Sequence, residues 1–128
     1  MNNFFIILGA GKGLRFGQNK PKQYFNHKGK ILIEHSIDKA LESKLFKKII
    51  VVISKRQKKL IDKYKGKRIK FVIGGKERKD SSLNALKKIR NEKPNNVLIH
   101  DAARPNFSIS LLKNLIKLLR NNYAVVPY

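Results

Sequence analysis

Five short apolar runs recur along the chain, separated by longer mixed stretches. They are Phe4–Leu8, Ile49–Ile53 (entered from Lys48), Ile69–Ile73, Val97–Ile99 and Ala124–Val126. Runs rich in β-branched residues suit strands buried on both faces, as in a parallel sheet. The stretches between them carry helical spacing. Leu111, Leu112, Leu115, Ile116 and Leu119 form an i, i+3, i+4 stripe, with Lys113, Asn114, Lys117 and Arg120 opposite. Leu83, Leu86 and Ile89 predict a second amphipathic helix, with Asp80, Ser81 and Ser82 as N-cap candidates. Ile31–Leu41 and Arg56–Tyr64 predict two weaker helices. Strands alternating with helices imply right-handed crossovers and a three-layer α/β sandwich. The 128 residues suit one small domain, or part of a larger one.

In this architecture ligands bind outside the carboxyl ends of the strands. Three polar clusters follow strand ends: Gly9–Gly17, Gly74–Ser82 and His100–Pro105. The first, Gly9-Ala10-Gly11-Lys12-Gly13-Leu14-Arg15-Phe16-Gly17, allows peptide N–H groups to converge on an anion. It matches neither the dinucleotide pattern G-x-G-x-x-G nor the Walker pattern. Downstream, Lys22 in Lys20-Pro21-Lys22-Gln23-Tyr24 offers a second cation besides Arg15. Two fixed cations beside a phosphate loop can neutralise charge that develops during phosphoryl transfer. In the second cluster Gly74 and Gly75 permit close backbone approach to a ligand, while Glu77 and Arg78 could form a local ion pair. In the third, Asp101 is a lone carboxylate of the kind that holds Mg²⁺ together with phosphate oxygens and water. The alternative is a turn Asp paired with Arg104. His100 reads as a structural hydrogen-bonding group, and His27 and His35 have no recognisable partner.

Charge alters this picture less than it first suggests. The chain carries 30 Lys and Arg against 8 Asp and Glu, a formal net charge of +22. Such a balance invites a nucleic-acid partner. However, 23 of the cations are Lys and only 7 are Arg, and they are spread along the whole sequence. With 15 Ile and 12 Asn, this is the usage of an AT-rich coding sequence. A surface selected to read phosphates or bases would be expected to use more Arg. The chain has no Cys, which excludes disulfides, thiolate metal sites and Cys nucleophiles. The run Phe4–Leu8 is too short to span a bilayer and lacks the basic flank of a signal peptide. A soluble, cytoplasmic protein is expected.

Five blocks in order resemble one family, the 2-C-methyl-D-erythritol 4-phosphate cytidylyltransferases. They are Gly-Ala-Gly-x-Gly-x-Arg from Gly9, Pro21–Tyr24, Gly-Lys-x-x-x-x-Glu-His-Ser from Gly29, Gly-Gly-x-Glu-Arg-x-Asp-Ser from Gly74, and His100–Pro105. The resemblance runs from about Phe5 to Pro127. It implies a Rossmann-like nucleotidyltransferase fold and transfer of a cytidylyl group from CTP to a polyol phosphate on the non-mevalonate route to isoprenoids. It further implies that Arg15 and Lys22 stabilise the transition state. The backbone of Gly9, Ala10, Gly11 and Gly13 would hold the triphosphate. Gly75, Lys76 and Ser81 would surround cytosine, with Ala102 near the sugar and phosphates, and Asp101 would hold Mg²⁺. Two positions depart from the family: Gly9, where Ala is usual, and Lys76, where an acid is common. The second leaves a backbone contact intact but puts a side-chain role there in doubt.

Family members are about twice as long, so this chain resembles their nucleotide-binding half. The residues that grip the acceptor and the arm that builds a homodimer would belong to the other half. A fragment or a broken fusion is the expectation, with little or no transferase activity on its own. The alternatives are a sister cytidylyltransferase acting on ribitol 5-phosphate or a related pentitol phosphate, a generic sugar-1-phosphate nucleotidyltransferase, and a basic polyanion-binding module.

Overall fold

A computed structural model describes residues 2–11, 22–104 and 106–127. Four parallel strands form the main sheet in the order β5-β4-β1-β6: β1 (Asn3–Gly9), β4 (Lys48–Ile53), β5 (Ile69–Ile73) and β6 (Asn96–Asp101). A two-residue antiparallel pair, β2 (Asn26–His27) and β3 (Lys30–Ile31), closes the turn ahead of helix α1 (Leu32–Ser43). Helices α2 (Lys59–Lys63), α3 (Arg78–Ile89) and α4 (Ile109–Leu118) follow β4, β5 and β6 respectively.

The two central strands explain the unbroken runs. Phe5 and Ile7 pack with Ile33 and Ile37 of α1 and Leu112 of α4 on one face. Phe4, Ile6 and Leu8 pack with Ala85 and Ile89 of α3 on the other. All of β1 and nearly all of β4 are therefore buried. Each such side chain gains about 1.5–3 kcal/mol relative to exposure. The edge strands are only half covered: Ile73 of β5 and Ile99 of β6 stay exposed. α4 is capped by Ser108, whose side chain accepts from the Leu111 N–H at 3.0 Å.

Several expectations need correction. Ala124–Val126 form no strand. The run is three residues long and Val126 is 86% exposed, so little burial supports pairing with β6. Leu83 and Leu86 are exposed, and the buried face of α3 is Ser81, Ala85 and Ile89. Its N-cap is Glu77, not Asp80, Ser81 or Ser82. Glu77 and Asp80 form a reciprocal capping box, with the Glu77 N–H donating to Asp80 Oδ2 at 3.1 Å. The helix expected over 56–64 splits into a 3-10 turn, Lys55–Gln57, and the short α2. His27 and His35 do have a partner, each other, with ring centroids 5.6 Å apart.

Candidate active site

β1 ends on Gly9 at a crowded crossing. A Cβ there would lie 2.4 Å from Ile33 Cδ1 and 3.0 Å from the Val52 carbonyl oxygen. The Gly9 carbonyl accepts hydrogen bonds from Gln23 Nε2 at 2.9 Å and from the Tyr24 hydroxyl. Gln23 Nε2 also donates to the Gly11 carbonyl at 2.7 Å. Tyr24 in turn accepts from the Ser54 N–H at 3.3 Å, and burial raises its pKa above the ordinary phenol value. The start of the glycine segment is thus tied to the short 3-10 helix Lys22–Tyr24.

The next strand end meets it directly. Gly74 donates its N–H to the Ile53 carbonyl at 3.0 Å, and a Cβ on it would fall 2.2 Å from the Ala10 Cβ and 2.8 Å from Ser81 Oγ. Only a residue without a side chain lets these two segments touch. Ser81 is buried in the first turns of α3, where its Oγ accepts from the Gly75 N–H at 3.2 Å.

The third strand end brings Asp101 to the same place. Strand alternation points Asp101 to the α3 face, level with Leu8. His100 points the other way, 4.4 Å from the Phe107 ring and 3.5 Å from Ser36 Oγ, and burial lowers its pKa below the ordinary imidazole value. Asp101 Oδ1 accepts from the Ala103 N–H at 3.0 Å, and Oδ2 lies 3.6 Å from Arg78 Nη1. The expected alternatives, an Asp101–Arg104 pair and a Glu77–Arg78 pair, are both replaced. Arg78 reaches across to Asp101, and Glu77 meets Lys79 at 3.4 Å.

Together these segments enclose a cavity of about 900 Å³ at the carboxyl ends of the strands. Of the expected site residues, Ala10, Gly11, Gly75, Lys76, Ser81 and Asp101 line it. Gly9 and Ala102 sit behind the wall, Ala102 wholly buried with its N–H on the Leu8 carbonyl at 3.0 Å. Gly13 and Arg15 lie outside the described residues, as does the side chain of Lys22. Sequence reasoning missed Gln23, Lys55 and Arg78 on the cavity wall. Lys55 follows the end of β4, so the strand-end rule could have flagged it. Gln23 lies within the block Pro21–Tyr24, for which the family resemblance implies a role at Lys22 alone.

A parallel sheet whose cavity opens beyond its strand ends, beside a glycine segment, defines the α/β nucleotide-binding class. The family model for 2-C-methyl-D-erythritol 4-phosphate cytidylyltransferase (IspD) matches residues 4–128. The chain is 50% identical over 127 residues to the bifunctional enzyme IspD/IspF of Pelagibacter ubique, covering 99% of this chain and 34% of that one. To the 2-C-methyl-D-erythritol 4-phosphate cytidylyltransferase of Thermosipho melanesiensis it is 40% identical over 129 residues, covering 97% and 57%. The crystal structure of the Francisella tularensis IspD superposes with a TM-score of 0.76 at 32% identity, over 96% of this chain and 54% of that one. The chain belongs to the IspD family, and it spans about half the length or less of these relatives.

Proposed function

We propose that this chain is the CTP-binding part of a 2-C-methyl-D-erythritol 4-phosphate cytidylyltransferase. The observation that carries the reading is the convergence of Ala10–Gly11, Gly75–Ser81 and Asp101 on one cavity. Backbone N–H groups of the glycine segment suit a triphosphate. The Gly75–Lys76 backbone and Ser81 suit a pyrimidine edge. Lys55, Lys76 and Arg78 add positive charge to the wall, and Arg15 and Lys22 would complete it on the strength of the family resemblance.

In the reaction so read, a phosphate oxygen of methylerythritol phosphate attacks the α-phosphorus of CTP. A new P–O bond forms to the acceptor as the bond to the β-phosphate breaks, and pyrophosphate carries away the electron pair. No enzyme nucleophile is needed, so catalysis is positioning and charge stabilisation. The acceptor contacts and the homodimer would come from the part of the relatives' length that this chain does not span. The ribitol 5-phosphate alternative differs in those contacts. Assaying a chain of the relatives' full length with both acceptors separates the two readings.

Asp101 fits a divalent cation: it is a hard oxygen donor facing the cavity, with a side chain 39% exposed. Among the described residues no three His, Cys, Asp or Glu side chains cluster, so the cation would be shared between Asp101 and substrate oxygens. Its chemistry would be charge neutralisation on the phosphates. The Arg78 guanidinium would have to withdraw from Asp101 Oδ2 for a cation to bind.

The test is a thermal melt with and without CTP and Mg²⁺. Ligand at a hundred times its Kd should stabilise the wild-type chain by about 2.7 kcal/mol. Asp101→Ala should abolish that protection. Equal protection of both proteins would remove Asp101 from the site. Tight binding of RNA with a steep salt slope, unaffected by Asp101→Ala, would favour the polyanion module instead.

A further inference from the structure

Gln23 is a buried polar side chain, 5% exposed, in the short 3-10 helix Lys22–Tyr24. A primary amide has two N–H donors. Here Nε2 reaches both the Gly9 and the Gly11 carbonyls. The Tyr24 hydroxyl adds a second donor to the Gly9 oxygen and is itself tied to Ser54 at the end of β4. Two adjacent side chains thus fasten the glycine segment by its carbonyl oxygens.

Peptide planarity converts that grip into an orientation. In a trans peptide the C=O of one residue and the N–H of the next point in opposite directions, and the described chain has no cis bonds. Holding the Gly9 oxygen against Gln23 and Tyr24 therefore aims the Ala10 N–H away from them. A hydrocarbon side chain could fill the same volume without the cost of burying an amide. The amide is retained where its bonds set the backbone of the cavity wall.

We infer that Gln23, assisted by Tyr24, is a positioning residue that presets the segment Gly9–Gly11 so that the Ala10 N–H is oriented for an anionic ligand before that ligand arrives. The inference rests on the nucleotide-binding reading of the cavity for the identity of the anion, but not for the clamp itself.

Gln23→Met keeps length and volume and removes both donors. Backbone carbonyl ¹³C shifts at Gly9 and Gly11, which report hydrogen bonds accepted by those oxygens, test the clamp, and calorimetric titration with CTP and Mg²⁺ tests its use. In Gln23→Met both carbonyl resonances should move upfield, the direction of a lost hydrogen bond, while those of Val51 and Val52 in β4 stay in place. CTP should bind about tenfold more weakly, as expected for a lost hydrogen bond. Tyr24→Phe, which leaves the Gln23 bonds in place, should move the Gly9 resonance and not that of Gly11, and it carries the test if Gln23→Met does not fold. Unchanged shifts at Gly9 and Gly11 overturn the clamp. Shifts throughout β4 as well, or local shifts with unchanged CTP affinity, overturn the positioning role. If the wild-type chain binds no CTP yet the local shifts appear, the clamp stands and the nucleotide reading falls.

Discussion

The two ends of one parallel sheet solve the same problem in opposite ways. At the amino end, polar groups pair with each other and close the surface. Asn96 Nδ2 donates to Asn3 Oδ1 at 2.9 Å, the Lys47 N–H to the Asn3 carbonyl at 2.8 Å, and Lys48 pairs with Glu92. At the carboxyl end, Gln23, Tyr24 and Ser81 bond backbone groups of glycine segments. Where side chains are present the sheet end is filled. Where Gly9, Gly74 and Gly75 leave them out, backbones approach and a recess of about 900 Å³ remains beside them. The candidate site on this fold is therefore built as much by missing side chains as by the residues that line it.

Substitutions that put a side chain back should break this contrast most strongly. Gly74→Ala forces a methyl into the space held by Ala10 Cβ, 2.2 Å away, and Ser81 Oγ. Overpacking of this kind costs about 1–3 kcal/mol, and here the strain falls on two walls of the cavity at once. Urea denaturation should register that loss, and CTP binding should fall with it. The matching change at the closed end is Asn96→Ala, which takes a donor from the buried Asn3 amide oxygen. About 1 kcal/mol of stability should be lost, with CTP affinity unchanged. A drop in affinity from Asn96→Ala would show that the two ends are not independent.

The same contrast marks what could be read from sequence. β1 and β4 were legible because burial on both faces leaves an unbroken apolar run. α4 was legible because one stripe faces the sheet. Leu83 and Leu86 misled because small residues, Ser81 and Ala85, are what fit between α3 and the strands. Ala124–Val126 misled because an apolar triplet specifies no partner for its backbone. Motif and strand-end position picked out Ala10, Gly11, Gly75, Lys76, Ser81 and Asp101, all of which line the cavity. Gln23 and Arg78 escaped because their roles lie in what they reach, the Gly9 and Gly11 carbonyls and the Asp101 carboxylate, at sequence separations of 12 to 23.

A smaller effect should come from acid. The hydrogen bond from Lys48 holds the Glu92 carboxyl below its ordinary value. A depressed folded-state pKa means that the pair contributes stability above the unfolded value of 4.5, and that this is lost as pH falls through the lower folded value. Both partners are partly exposed, so the contribution is modest. The gap in urea midpoint between wild type and Glu92→Gln should be widest at neutral pH and narrow below about pH 4. A gap that is constant across that range would mean that the charge on Glu92 contributes nothing to the closed end.

The smallest expected change in stability is at the glycine that faces the cavity. A Cβ on Gly11 would meet no atom within 4 Å, and its backbone is not in the left-handed region. Gly11→Ala should therefore leave the urea midpoint within about 0.5 kcal/mol of wild type, or raise it slightly by restricting the unfolded chain. Its methyl would stand where a triphosphate is proposed to lie against the backbone. CTP affinity should fall while stability does not, the reverse of Asn96→Ala and separable from Gly74→Ala, where both fall together. If Gly11→Ala changes neither quantity, the ligand does not approach this segment closely, and the open space at Gly11 is only solvent.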